Sequence, residues 1–175
     1  GYIYVSSDDD EILELSETLG VKTLKRSADL ANDVIPIAPV MTDAISTIER
    51  TDGKVKFACS VFPCAPFIKV SDLKHSYDEL LKTNSLYVYP VTNYPHPIQR
   101  AIRVVSGNVP EFIEPKNQLV TTQSFEDFFH DTGQFYFGTR DAWISEQKMH
   151  TDGIVTKIPN WRVVDIDTLD DWKRA

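Results

Sequence analysis

Asp165-Ile166-Asp167, near the end of the chain, is the pair of residues best placed to do chemistry. Val163 and Val164 lead into it, so the run from Trp161 to Ile166 reads as a strand. Residues two apart in a strand point to the same face. Asp165 and Asp167 would then stand side by side at a strand's C-terminal end, where open α/β sheets keep their ligands. Two hard oxygen ligands suit Mg²⁺ that also holds substrate phosphates. The same residues also read as solvated acids ahead of a helix, since Thr168-Leu169-Asp170-Asp171-Trp172 puts acids in a first turn, where the helix dipole favours them. Spacing alone leaves both readings open.

Four other places could carry chemistry. Arg26 precedes a loop between two α/β units, at a nucleotide edge or as a surface arginine. Pro63-x-x-Pro66 follows a strand; proline cannot feed a ladder donor, so the chain leaves the sheet there, at a ligand-facing end or in a plain turn. Gln99, Arg100 and Arg103 lie in one segment, where a bidentate arginine would suit a carboxylate ligand; an exposed edge strand fits equally. In Gly133-Gln134-Phe135-Tyr136-Phe137-Gly138, Phe135 and Phe137 read as core, and Tyr136 faces a pocket or an interface. Ser, His and Cys show no triad-like grouping, and neither GxxxxGK[ST] nor GxGxxG occurs.

The elements that must position these residues alternate. Strands are expected at Tyr2 to Ser6, Val21 to Leu24, Val55 to Phe62 and Leu86 to Val91. Between them fall helices: one opened by Ser7 or Asp8 with a buried stripe of Ile12, Leu15 and Leu19, and closed at Gly20. A second opens at Pro39 and carries Val40, Ala44, Ile45 and Ile48. A third is capped by Ser71 and carries Leu73, Tyr77, Leu80 and Leu81. This β-α-β-α-β-α-β order implies an α/β fold, a doubly wound, mostly parallel sheet. After the Pro-rich loop Thr92 to Pro97 the pattern changes. Ile98, Arg100, Ile102 and Val104 alternate, Gly107-Asn108 turns, and Glu111-Phe112-Ile113 continues, as in an inserted hairpin. A short helix from Ser124 with Phe125, Phe128 and Phe129 is expected next. Strands at 133–138, 154–158 and 161–166 then follow, with helices at 140–148 and 168–173.

The chain has 175 residues, enough for one domain over 1–175 with an inserted lobe at 92–138. Its 42% hydrophobic and 11% aromatic content supports a real core. A net charge of −8 argues against non-specific nucleic-acid binding, but not against nucleotides whose charge a metal carries. Cys59 and Cys64 form no CxxC or Cys/His cluster, which speaks against zinc. No apolar run is long enough to span a membrane and no signal peptide is evident, so the cytoplasm is the default.

In order and spacing, several segments resemble the cytidylyltransferases that activate acidic nonulosonic sugars, those acting on pseudaminic acid first and CMP-sialic acid synthetases next. Val5-Ser6-Ser7-Asp8-Asp9-Asp10-Glu11-Ile12 is similar to VSTDDEEI. Arg26 to Ala31 is similar to RPxELA, and Phe62-Pro63-Cys64-Ala65-Pro66-Phe67 to YPTAPF. Pro97-Ile98-Gln99-Arg100-Ala101-Ile102 resembles PIQRAL, and His130 to Tyr136 resembles the start of HDAGQFYWG. Val164 to Trp172 resembles DIDTxEDW. The resemblance covers essentially the whole chain.

That resemblance implies a Rossmann-like nucleotidyltransferase with a small inserted dimerisation element, hence a homodimer. The implied reaction joins CTP and a nonulosonic acid into a CMP-sugar, CMP-pseudaminic acid in the nearest reading, and releases pyrophosphate. CMP-sialic or legionaminic acid synthesis, or a non-catalytic sugar-binding homologue, are the alternatives. Asp165 and Asp167 match metal-binding aspartates for Mg²⁺, Arg26, Pro63 and Ala65 the nucleotide contacts, and Gln99, Arg100, Gln123 and Tyr136 the sugar pocket. The family's PARxGSKRIPxKN phosphate loop has no counterpart here. The expectation is therefore an N-terminally incomplete domain, short by on the order of forty residues, that turns nothing over by itself. Thr121-Thr122-Gln123-Ser124-Phe125 stands where the family has RSQDL, so Gln123 is kept and the arginine is lost.

Overall fold

The computed structural model describes residues 1–32, 34–145 and 147–175. The chain runs β1 (Tyr4–Ser7), α1 (Asp10–Thr18), β2 (Lys22–Lys25), α2 (Ile37–Thr51), β3 (Phe57–Val61), α3 (Val70–Thr83) and β4 (Tyr87–Asn93). It continues through β5 (Ile102–Val105), β6 (Val109–Phe112), β7 (Phe129–Asp131), β8 (Phe135–Thr139), α4 (Arg140–Ile144), α5 (Met149–Asp152), β9 (Gly153–Lys157) and α6 (Leu169–Arg174). A five-stranded sheet has the order β3-β8-β4-β7, with β9 also on β4. The α/β class is borne out.

The chain packs as two compact units. One comprises Gly1–Ser60, Asn84–Tyr87 and Phe137–Gly153. In it β1 and β2 form a parallel pair, Tyr4 opposite Lys22 through Ser7 opposite Lys25. Asp9 caps α1, its carboxylate accepting from the backbone N–H of Glu11 at 2.8 Å and Ile12 at 3.4 Å. The expected apolar stripe of α1 is not buried: Ile12, Leu15 and Leu19 are 48%, 62% and 73% exposed, and Leu13 and Ser16 face inward instead. Helical spacing defines candidate faces, but a two-stranded sheet covers only a narrow strip, and that strip runs through Leu13 and Ser16. α2 begins two residues before Pro39, which is tolerated in the first turn because its missing N–H has no intrahelical partner. Trp143 of α4 is fully buried. Its indole N–H donates to the Ala58 carbonyl at 3.2 Å, its own carbonyl accepts from Thr42, and its ring meets Tyr87 edge-on at 5.0 Å. Of the helix expected over 140–148, α4 covers Arg140–Ile144; Glu146 lies outside the described residues, and α5 begins beyond the expected range, at Met149.

The second unit comprises Val61–Thr83, Val88–Tyr136 and Ile154–Ala175. Residues 88–92 of β4 are buried, and β7 lies antiparallel on it, Val91 opposite Asp131 and Thr92 opposite His130. Pro90 donates nothing to the ladder, yet its carbonyl accepts from Thr132 N–H at 3.2 Å. Ser76 of α3 and Thr156 of β9 share a buried hydroxyl–hydroxyl bond of 2.8 Å. β5 and β6 form the expected antiparallel hairpin, turned at Ser106–Asn108.

Three expected elements differ here. Ile98 and Arg100 fall in a 3₁₀ turn rather than a strand, because Pro97 sets the chain into a turn and pairing starts only at Ile102. The helix expected from Ser124 is absent: Thr122–Ser124 is a 3₁₀ turn and Phe129 belongs to β7. Phenylalanines at 125, 128 and 129 fit a helical face, but the ladder with β4 satisfies the backbone of 129–131 instead. Trp161 to Ile166 is not a strand. Asn160–Arg162 is a 3₁₀ turn, 163–166 has no regular secondary structure, 167–168 bends, and no strand among the described residues pairs with this segment. Its β-branched residues favour an extended backbone, but no edge is presented for a ladder. Among the described residues no helix is long and apolar enough to cross a membrane.

Candidate active site

A segment without secondary structure carries Asp165 and Asp167, so side chains and loops must hold it. Three clamps do so, all within the second unit. Gln134, fully buried, donates from Nε2 to the Arg162 carbonyl at 2.8 Å. Arg162, only 6% exposed, forks onto Asp72 of α3, one arm at 3.2 Å and the other closer. Beyond Asp165, the Ile166 N–H donates to the Cys64 carbonyl at 3.1 Å. Thr168 then caps α6 in a reciprocal box with Asp171, the Thr168 hydroxyl oxygen accepting from Asp171 N–H and the Asp171 carboxylate from Thr168 N–H at 3.0 Å. The helix with acids in its first turn is borne out, and it fixes the far end of the segment.

These clamps set Asp165 into a cleft of about 470 Å³, within the range of small-molecule sites. Its walls are His130 to Gly133 and Tyr136 on one side of the sequence, and Val163 to Asp165, Asp171 and Arg174 on the other. Gly133 makes the close approach possible. Its φ is +64°, and a Cβ there would lie 2.9 Å from Asp165 Oδ2. The Gly133 N–H donates to Asp131 Oδ1 at 2.8 Å, and the Tyr136 hydroxyl donates to Asp131 Oδ2 at 2.8 Å. The Tyr136 ring packs edge-on to Phe62 at 5.5 Å and lies 6.0 Å from Tyr89.

The electrostatics follow from this crowding. Desolvation, then the like charges of Asp167, Asp171 and Asp131, push the Asp165 carboxyl above the usual carboxylate range. Burial first, and its bond to Asp131 second, push the Tyr136 phenol far up, so it stays protonated. Asp171 is held low, chiefly by the Thr168 hydroxyl. Asp165 is thus an acid whose charge the protein leaves poorly compensated, which is what a cation would relieve.

Asp165 and Tyr136 come together in the cleft, and Asp167 lies near enough to load Asp165. Pro63 and Ala65 flank Cys64, whose carbonyl anchors the same segment, so this loop adjoins it. Gln99, Arg100 and Gln123 do not line the cleft. Gln99 donates to the Glu126 carbonyl at 2.9 Å, and its Oε1 is buried without a partner among the described residues. Arg100 and Gln123 are exposed in 3₁₀ turns. Arg26, in the other unit, donates to the Ser6 carbonyl at 2.7 Å and to its hydroxyl at 3.3 Å. Sequence reasoning assigned no site role to Asp131, Gly133, Asp171 or Arg174. Asp131-x-Gly133 carried the signal, as an Asp whose side chain caps its own turn two residues on.

The Mg²⁺ that the sequence implies fits the donor set. The carboxylates of Asp165 and Asp167 carry the hard oxygen donors that suit Mg²⁺, and no group of three or more metal-ligating side chains occurs among the described residues.

No family model matches the chain. Over 177 residues it is 30% identical to the pseudaminic acid cytidylyltransferase of Campylobacter jejuni serotype O:2, across 99% of this chain and 75% of that protein. The chain belongs to the pseudaminic acid cytidylyltransferase family. The enzyme of that name from C. jejuni serotype O:23/36 aligns to the same extent. N-acylneuraminate cytidylyltransferase B of Danio rerio is 24% identical over 179 residues, covering 99% of this chain and 40% of its own length. Among solved structures, CMP:2-keto-3-deoxy-manno-octonic acid synthetase complexed with CTP superposes with a TM-score of 0.67 at 10% identity, over 99% of this chain and 78% of that one. At that identity it shows a shared fold. Membership in this cytidylyltransferase family makes the α/β domain a nucleotidyltransferase domain, as the sequence motifs implied.

Proposed function

We propose that the protein transfers the cytidylyl group of CTP to a nonulosonic acid, pseudaminic acid, giving the CMP-sugar and pyrophosphate. The sugar's anomeric oxygen bonds to the α-phosphorus, the bond to the β-phosphate's bridging oxygen breaks, and the hydroxyl proton passes to solvent. Catalysis of such a step is positioning plus charge neutralisation. Mg²⁺, when bound, would neutralise phosphate charge and hold the α-phosphate in place. Asp165 and Asp167 would hold it, with the Asp165 carboxylate lying close to Gly133. Tyr136 keeps its proton and forms one wall of the sugar pocket. Pro63 and Ala65 would border the cytidine, and Arg26 would contact the nucleotide. Gln99, Arg100 and Gln123 are assigned to the sugar. The observation that carries this reading is Asp165, clamped on both sides and crowded by like charges in a cleft of substrate size.

A homodimer through 92–138 is part of the proposal. The β5–β6 hairpin is a two-stranded sheet with Val104 and Val109 67% and 54% exposed, an adhesive edge that a second copy would cover. The functional test is incubation of the full-length gene product with CTP, Mg²⁺ and a panel of pseudaminic, sialic, legionaminic and Kdo acids. Pyrophosphate and a CMP-sugar from pseudaminic acid above the others support the reading. Preference for another acid moves the substrate, and no CMP-sugar from any of them refutes the activity.

A further inference from the structure

Gln134 touches both stretches of backbone that build the proposed site, and the transfer chemistry above gives it no task. Its main-chain carbonyl accepts from the Phe62 N–H at 2.9 Å, at the head of the loop that carries Pro63 and Ala65. Its side-chain amide reaches the other way and donates to the Arg162 carbonyl at 2.8 Å. A further bond, from the Ile166 N–H to the Cys64 carbonyl at 3.1 Å, ties that loop to that segment directly. Together these bonds close a ring within the second unit. One arc runs from Phe62 to Cys64 and the other from Arg162 to Ile166, with Asp165 on the second. Two of the links are backbone to backbone, and only the Gln134 amide closes the ring with a side chain. The amide is unfavourable in itself. A carbonyl only accepts, so the Gln134 nitrogen must face Arg162 and its oxygen must face away. That oxygen, Oε1, is buried with no hydrogen-bond partner among the described residues, which destabilises the fold. An apolar side chain of the same volume would fill the space without leaving an unpaired acceptor, but it could not grip the Arg162 carbonyl.

We propose that Gln134 is a positioning residue for the transfer reaction: it holds the Asp165 segment in fixed register with the loop that borders the nucleotide. This rests on the cytidylyltransferase reading of the cleft. Gln134 touches neither substrate nor cation and acts through the Arg162 carbonyl, three residues before Asp165. Its contribution is therefore to the placing of the Asp165 and Asp167 carboxylates and not to the stability of the domain. Hydrogen-bonded supports that orient metal ligands typically set metal affinity or activity by about 10–100-fold.

The test is Gln134→Met in the full-length gene product, which keeps the volume and removes both the donor and the unpaired acceptor. Thermal unfolding, Mn²⁺ binding by EPR titration without nucleotide, and the Mg²⁺ dependence of pyrophosphate release are compared with wild type. The melting midpoint should stay within about 4 °C, because the lost bond and the lost unpaired acceptor offset each other. The Mn²⁺ dissociation constant and the Mg²⁺ concentration for half-maximal rate should each rise by about 10–100-fold. Mn²⁺ binding equal to wild type overturns the proposal. So does a variant that fails to fold or melts well below that range, since Gln134 would then serve stability. If wild type turns over no sugar acid, the activity reading fails by itself. The Mn²⁺ titration then judges Gln134 separately: weaker binding by the folded variant upholds its role, and equal binding, or no binding by wild type, overturns it.

Discussion

Gly133→Ala probes the site at the point where backbone and Asp165 meet. An L-residue at φ +64° costs about 1–2 kcal/mol, enough to lower Tm by about 2–8 °C in a chain of this size. The added Cβ would also sit 2.9 Å from Asp165 Oδ2, about 0.5 Å short of ordinary contact. Asp165 is exposed enough to swing aside, so the clash is relieved by moving the carboxylate and not by unfolding. Displacement of a catalytic group by up to about 1 Å costs roughly 10²-fold in rate. Gly20→Ala is the matched control: φ is +76°, but nothing lies within 4 Å of its added Cβ. Thermal unfolding and pyrophosphate release should therefore separate the two. Both variants lose a few degrees, and only Gly133→Ala loses about two orders of magnitude in kcat. Full activity in Gly133→Ala, or an equal kcat loss in Gly20→Ala, would refute the placement of Asp165.

Removing one partner of the Arg162–Asp72 pair should destabilise the fold by up to about 3 kcal/mol, read by urea denaturation of Arg162→Met; unchanged stability would mean that the segment needs no such clamp. The Arg140 guanidinium holds Glu49 below the usual carboxylate range, so this pair stabilises the fold above Glu49's unfolded value and stops doing so as pH falls through its folded value. Glu49→Gln should accordingly be less stable than wild type at neutral pH and converge with it in strong acid; a constant gap across the titration would count against the pair. Val104→Lys with Val109→Lys should convert a dimer to a monomer by light scattering at micromolar concentration, whereas a monomeric wild type removes the interface.

The alternating elements were legible because apolar periodicity and turn residues act locally. Ile45 and Leu80 fell on the buried faces that their spacing implied. α1 failed because spacing cannot tell which stripe a narrow two-stranded sheet will cover. The Trp161 to Ile166 run failed because β-branched residues favour extended backbone whether or not an edge is available to pair with. The acids of the site were visible, but the reason for their placement was not. Same-face geometry on a strand does not exist here, and Asp165 is held by Gln134, Arg162 and the Cys64 carbonyl, contacts that join residues far apart in sequence. Tyr136 could be assigned to a pocket from alternation with the core residue Phe135. Its partner Asp131 was signalled only by Asp131-x-Gly133, a turn pattern too common to mark a site by itself.

The most direct test of the central claim is CMP-sugar formation from CTP and pseudaminic acid by the full-length gene product, compared with Asp165→Asn and Asp167→Asn at saturating Mg²⁺. The account predicts product by mass spectrometry with stoichiometric pyrophosphate from wild type, and kcat lower by orders of magnitude in both folded variants. Variant rates within a factor of a few of wild type would contradict it.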